Sequence, residues 1–217
     1  MSYPDETRAR LDKDAEAILA RYPERRSAIL PLLHLVQSED GYVSPDGIAF
    51  CAETLDLPMP EVSAVATFHT QFRRSPGGDY HVGVCTNTLC ACMGGDAIWE
   101  ALRDHVGVDD GGTTRDGKVT LERLECNAAC DFAPVVMVNW EFFDGQTPES
   151  VKGLVDDIRA GKDVRPTRGA DKICTFQEVS RILAGFADGR ADEGPSAGRA
   201  SLAGLEAASD DRTGKKT

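Results

Sequence analysis

The sequence predicts an α+β chain in which an N-terminal helical bundle, residues 1–72, precedes a sheet-bearing domain, 73–185, and a polar extension, 186–217. Three observations carry that expectation. Apolar residues recur at helical spacing through the first third of the chain, the period switches to strand-like alternation near residue 80, and large apolar residues thin out after Phe186. A chain of 217 residues has room for one full domain and a smaller helical one, since typical domains run to about 100–200 residues.

In order, Leu11, Ala15, Ile18 and Leu19 mark a helix over 12–21, and Ile29, Leu32, Leu33 and Val36 mark a second over 24–37. Pro23 fits the first turn of that second helix, whereas Pro31 either kinks it or marks its real start. Ser44-Pro45-Asp46 opens a third helix through Leu55, and Met59-Pro60-Glu61 a fourth through Phe68, because proline early in a helix gives up an N–H that has no partner there. Four short helices with one apolar face each should pack together, and with no cluster of reactive residues they read as docking or support. Tyr80 to Val84 then alternates as a strand, Asp96 to Val106 is amphipathic with Ile98, Trp99, Leu102 and Val106 on one face, and Val119 to Leu124 is a second strand. Val135 to Asn139 and Glu141 to Phe143 flank a turn. Pro148 to Ala160 forms a helix with Val151, Leu154, Val155 and Ile158 on one face, and Gly161 and Gly169 end the domain. Beyond Phe186 the chain is rich in Ala, Gly, Ser, Asp and Arg, too poor in apolar surface to repay its ordering entropy alone, so a mobile or partner-ordered extension is expected.

A net charge of −12 disfavours nucleic acid and anionic lipid as partners. The longest apolar stretches, Ala28 to Val36 and Pro134 to Trp140, fall far short of the roughly 20 residues that span a bilayer, so no membrane insertion is expected. The N-terminus has no basic region followed by an apolar one, which argues against a secretory signal. Gly94-Gly95 matches neither a dinucleotide fingerprint nor a phosphate loop, so no nicotinamide or flavin site is expected on this chain.

The chemistry is concentrated in cysteine. Cys85-x4-Cys90 and Cys126-x3-Cys130 are separated by 35 residues, and each pair follows a segment read as a strand. Two thiolates on a tight loop can share one metal centre, and a second such loop completes a four-sulfur shell around a 2Fe–2S rhomb. Structural zinc knuckles and redox pairs both favour C-x2-C, a spacing that does not occur here, where the nearest pattern is the C-x-C of Cys90 and Cys92, although zinc and incidental thiols stay open on spacing alone. A Rieske centre needs two histidines, and none of His34, His69, His81 or His105 lies within three residues of these cysteines. Seven cysteines, an odd number, fit a reducing compartment better than a disulfide framework. Cys51 and Cys174 read as small packed hydrophobes, Cys92 as a bystander, Trp99 and Trp140 as core or interface anchors, and His69 as a structural histidine. The helix start near Gly94 to Asp96 is expected to aim N–H groups at the sulfurs, with Asp96 as its cap.

Tyr80-His-Val-Gly-Val-Cys85-Thr-Asn-Thr-Leu-Cys90, then Glu125-Cys126-Asn-Ala-Ala-Cys130-Asp-Phe-Ala-Pro134-Val-Val-Met-Val-Asn139, together with Thr67-Phe68-His69-Thr70-Gln71-Phe72, resembles the family of thioredoxin-like 2Fe–2S subunits of NADH:quinone oxidoreductase, respiratory complex I. The likeness covers residues 8 to 185. Ala128, where many relatives place glycine, and the additional Cys92 depart from the pattern without removing a ligand. The resemblance implies a thioredoxin-like 2Fe–2S ferredoxin domain after the bundle, and Cys85, Cys90, Cys126 and Cys130 as ligands of one cluster. It also implies electron exchange with FMN on a partner flavoprotein, the NADH-binding subunit, and a second partner in the large multi-cluster iron–sulfur subunit. The host would be a complex at the cytoplasmic face of the cell membrane, with no catalysis by the isolated chain. The equivalent subunit of a soluble NAD-linked formate dehydrogenase or hydrogenase carries the same motifs, and a zinc-stabilised interaction protein is the third alternative. Residues 8–68 and the extension are the expected docking surfaces. By analogy with thioredoxin-like folds, Pro134 is expected beside the cysteine loops, with its peptide bond open between cis and trans.

Overall fold

A computed structural model describes residues 3–194, 197 and 199–213; positions 1, 2, 195, 196 and 198 and the end of the expected extension, 214–217, lie outside the described residues. The bundle consists of α1 (Asp5–Leu19), α2 (Ile29–Asp40), α3 (Pro45–Leu55) and α4 (Met59–Phe68). α1 starts earlier than its apolar spacing predicts, and Asp5 and Glu6 in the first turn suit the positive end of its dipole. A 3₁₀ turn, Arg25–Ala28, precedes α2, so Pro31 falls in the first turn and marks the start of the helix. Ser44 caps α3 by accepting the Gly47 N–H at 2.9 Å. Leu11, Ile18, Leu32, Leu33, Val36 and Phe50 are buried together between these helices.

The sheet contains β1 (Tyr80–Cys85), β2 (Val119–Leu124), β3 (Val136–Val138) and β4 (Glu141–Phe143) in the order β2-β1-β3-β4. β1 and β2 are parallel, with Cys85 opposite Leu124, while β3 is antiparallel to both β1 and β4. The β1–β2 crossover carries α5 (Thr88–Cys92) and α6 (Gly95–Val106), and α7 (Pro148–Arg159) follows β4. One sheet face buries Val82, Val84, Leu121 and Val136 against Ile98 and Leu102 of α6 and Val151 and Val155 of α7. The strand predicted to run through Asn139 stops at Val138. Asn139 and Trp140 instead form a two-residue turn with φ of 47° and 74°. Such a turn matches strand twist but needs both residues left-handed. The Asn139 side chain compensates: its Oδ1 accepts the His81 N–H at 2.8 Å, and its Nδ2 donates to the carbonyls of Asp79 at 3.1 Å and Cys174 at 2.8 Å.

α8 (Phe176–Leu183) opens with a capping box between Thr175 and Glu178 and lies between sheet and bundle. Phe176 stacks on His81 with ring centroids 4.1 Å apart. Ser180 meets Gln37 of α2 at 3.1 Å, and Gln177 donates to the carbonyls of Ser38 and Glu39. Within the expected extension the described residues include α9 (Arg199–Thr213). Among the described residues no helix is long and apolar enough to cross a membrane.

Because β1 and β2 run parallel, the loops that leave their C-terminal ends emerge at the same edge of the sheet. β3, antiparallel to β1, enters from that edge.

Candidate metal centre

All four cysteines lie at that edge. Cys85 ends β1, is buried, and donates its N–H to the Val135 carbonyl at 3.1 Å. Cys90 is buried in α5. Burial pushes its thiol up to about 11, opposed by the Val135 N–H at its sulfur and reinforced by a hydrogen bond to the Cys85 thiol. On the loop after β2, Cys126 and Cys130 are exposed with their sulfurs 3.6 Å apart. The Cys130 thiol is raised first by its bond to Cys126. Cys85 and Cys90 pack in one buried cluster with Ala129, the residue before Cys130, so the two pairs share one neighbourhood.

Asn87 ties the two loops together. Its Oδ1 accepts the Cys126 N–H at 2.8 Å, and its Nδ2 donates to Glu125 at 3.2 Å. Spacing arguments pass over this residue, although an Asn between a strand end and a short helix is a signal for side-chain capping of backbone. Pro134 is buried behind a cis peptide bond, and its neighbours Ala133 and Val135 pack in the same cluster as Cys85 and Cys90. Ala128, the departure noted in the sequence, adopts φ 54° and donates its N–H to the Cys126 sulfur at 3.4 Å.

The start of α6 differs from expectation. Its N-cap is Gly94, at φ 112°, and Asp96 makes no cap; its carboxylate lies 3.8 Å from Arg123. Among the described residues, the backbone N–H groups of Ala128 and Val135 reach cysteine sulfur. The first turn of α6 instead packs against the backbone of the first loop: a Cβ on Gly95 would lie 2.6 Å from the Cys85 carbonyl oxygen and 2.9 Å from that of Cys90.

Of the other residues noted in the sequence, Cys51 is buried in the bundle core, where burial holds its thiol far above its ordinary value. Cys92 is exposed. Cys174 is half-buried rather than packed away, and its sulfur accepts Arg190 Nη1 at 2.7 Å. Trp99 is buried beneath the Arg123 guanidinium at 4.7 Å, and Trp140 packs against the cluster that holds Cys85 and Met137. His69 is exposed, edge-on to Phe68 and Phe72.

The four thiols offer the donor set of a metal group held from two loops. Thiolates about 2.3 Å from one tetrahedral metal lie about 3.8 Å apart, and the Cys126–Cys130 pair comes close to that at 3.6 Å. Among the described residues no three of the side chains that ligate metals converge on one ion position. Two thiol pairs, of which Cys126–Cys130 already has the separation that one metal needs, are the donor set of a 2Fe–2S rhomb.

Comparison with known proteins agrees with this geometry. The sequence model of the thioredoxin-like [2Fe-2S] ferredoxin family matches residues 15–159. The E subunit of NADH-quinone oxidoreductase from Mycobacterium tuberculosis (strain ATCC 25618 / H37Rv) is 61% identical over 208 residues, 95% of this chain and 82% of that protein. Its counterpart of the same name from Rickettsia bellii is 38% identical over 148 residues, 67% of this chain and 89% of that one. Subunit 2 of the Thermus thermophilus NADH-quinone oxidoreductase is 35% identical over 150 residues, 68% and 83% respectively. Among solved structures, an NAD+-reducing [NiFe]-hydrogenase in the air-oxidized state superposes with a TM-score of 0.55 at 21% identity, over 61% of this chain and 23% of that one, a likeness of fold.

Proposed function

The chain belongs to the thioredoxin-like [2Fe-2S] ferredoxin family, and we propose that it is the electron-carrying 2Fe–2S subunit of an NADH-quinone oxidoreductase, with Cys85, Cys90, Cys126 and Cys130 holding one cluster. The observation that carries the reading is the meeting of two thiol pairs at one sheet edge. When bound, such a cluster stores and returns one electron at a time. The chain's residues set the conditions. Cys85 and Cys90 anchor the buried side, whereas the exposed Cys126 and Cys130 leave the opposite side open to a partner. The N–H groups of Val135 and Ala128 point at sulfur and offset thiolate charge. Asn87 fixes the spacing between the loops. With no nicotinamide or flavin fingerprint in the sequence, the electrons are assigned to a flavoprotein partner that oxidises NADH on FMN, with a multi-cluster iron–sulfur subunit as second neighbour. The chain then sits peripherally on a membrane complex at its cytoplasmic side.

Two measurements test this. Anaerobically purified protein should carry a red-brown chromophore that Cys126→Ala abolishes and Cys92→Ala preserves; the reverse pattern would overturn the ligand set. The purified chain should oxidise no NADH with ferricyanide above background, and it should bind the flavoprotein subunit in a stable complex. NADH-dependent turnover by the chain alone would defeat the reading.

A further inference from the structure

We propose that Arg168 is a positioning residue for the second thiol loop, acting on Cys130 through the ring of Phe132; the proposal rests on reading Cys130 as a cluster ligand. Phe132 closes the 3₁₀ turn that Cys130 opens. Unlike Cys85 and Cys90, Cys130 has no burial to hold it in place. Something else must keep that turn from swinging outward.

Arg168 is placed to do so. Its Cζ lies 5.0 Å from the Phe132 ring centroid and 3.8 Å from that of Phe142, so one guanidinium bridges two rings. The guanidinium is anchored on Asp144, with Nε 2.9 Å from Oδ2 and Nη2 3.3 Å from Oδ1, and both side chains are largely buried. A planar fork can stack on rings and grip a carboxylate at once, which an ammonium cannot. Backbone bonds complete the clamp. Thr167 N–H donates to Phe142 O at 2.9 Å, Asp144 N–H to Thr167 Oγ1 at 3.1 Å, Gly145 N–H to Phe132 O at 2.9 Å, and Gln146 N–H to Pro134 O at 3.0 Å. The segment after α7, the turn after β4 and the loop from Cys130 to Pro134 are thereby laced into one unit. Arg168 lies beyond residues 15–159, so the match to the family does not assign it a role.

Arg168→Ala, Arg168→Lys and Phe132→Leu are compared with wild type in two states. In the metal-free, reduced protein, amide hydrogen exchange at Phe132, Ala133 and Gly145 should quicken roughly five- to twentyfold in Arg168→Ala, with Arg168→Lys intermediate because it keeps charge and loses the fork. In the cluster-loaded protein, iron and sulfide content should be unchanged, while visible circular dichroism and the g-anisotropy of the reduced cluster shift. Phe132→Leu should shift both in the same direction, and the double variant should go no further than the larger single effect, as expected for residues acting in series. Unchanged exchange and unchanged spectra in Arg168→Ala overturn the proposal, and so do additive effects of the two substitutions. Should Arg168→Ala fail to fold, Arg168→Lys with Phe132→Leu decides by the same readouts. A wild-type protein with no iron and sulfide would instead bring down the cluster reading itself, and with it the role for Arg168, while the exchange data would still show whether the clamp holds the loop.

Discussion

Replacing Gly95 with alanine should loosen the first thiol loop without touching a cysteine. The added methyl would sit 2.6 Å from the Cys85 carbonyl oxygen, 2.9 Å from the Cys90 carbonyl oxygen and 3.0 Å from the Cys90 carbonyl carbon. These are backbone atoms of both inner thiols, so no rotamer change relieves the overlap; either α6 slides away or the loop rises. Overpacking of this kind costs typically about 1–3 kcal/mol, and rigid backbone on two sides argues for the upper end. Alanine recovers up to about 1 kcal/mol through its better helix propensity, which leaves a net loss of about 2 kcal/mol. Gly153 of α7 is the control, since it is exposed and a Cβ there meets nothing within 4 Å. Gly153→Ala should therefore gain about 0.5–1 kcal/mol from helix propensity alone. Urea unfolding of the metal-free protein measures both, with the m-value held as a check that the denatured state is unchanged. A midpoint for Gly95→Ala at or above wild type, while Gly153→Ala rises as expected, would refute the close approach of α6 to the loop.

Three further outcomes follow from other parts of the chain. Ala128 sits at φ 54°, so Ala128→Gly should trade a left-handed strain of about 1–2 kcal/mol for a glycine entropy cost of about 0.5–1, a net gain of about 0.5–1 kcal/mol in urea unfolding. Burial lowers His34 to about 4, helped by the nearby His69, and lowers His81 to about 3, helped by Arg73; both start from an ordinary 6.5. Below pH 6.5 the unfolded chain takes up protons that the native chain refuses, so the stability present above 6.5 is lost as pH falls toward those lowered values, by up to about 1.4 kcal/mol per pH unit for each histidine. Urea midpoints between pH 7 and 5 should fall less steeply in His81→Phe than in wild type, and equal slopes would rule out His81 as a contributor. Gln37→Leu strands the Arg73 N–H and the Ser180 hydroxyl that Gln37 now pairs at 2.8 and 3.1 Å, at about 1–3 kcal/mol for each stranded group, and should expose the chain around α8 to limited proteolysis.

What could be read from the sequence was local and periodic. The alternation from Tyr80 to Val84 and the stripe from Ile98 to Val106 became β1 and α6, with ends close to those expected, because burial of one face dictates the residue pattern. The side-by-side meeting of the two cysteine loops was also legible. Thirty-five residues containing an amphipathic helix can return to a parallel neighbour, and parallel neighbours release their following loops at one edge. α5 was too short to show a period. α8 was announced by the Thr175–Glu178 capping box, but its run of eight residues is brief enough to pass for a loop. Asp96 looked like a cap because acidic residues favour that position, yet the chain turns at Gly94 with φ 112°, which takes the cap away from it.

The asymmetry of the thiol pairs lay beyond local pattern. Nothing in either loop says that Cys85 and Cys90 end up beneath Val135 and Met137 while Cys126 and Cys130 face outward; that follows from β3 entering between β1 and β4. The contacts that brace the second thiol loop are likewise long-range, Asn87 to Cys126 across 39 residues and Arg168 to Asp144 across 24. The thiols supply the chemistry, and distant residues supply its geometry. Asn87→Ala therefore leaves every cysteine in place and still frees the Cys126 N–H from the first loop, so the anaerobically purified variant should carry less iron and sulfide per chain than wild type, a loss that no count of ligands would foresee and that unchanged content would refute.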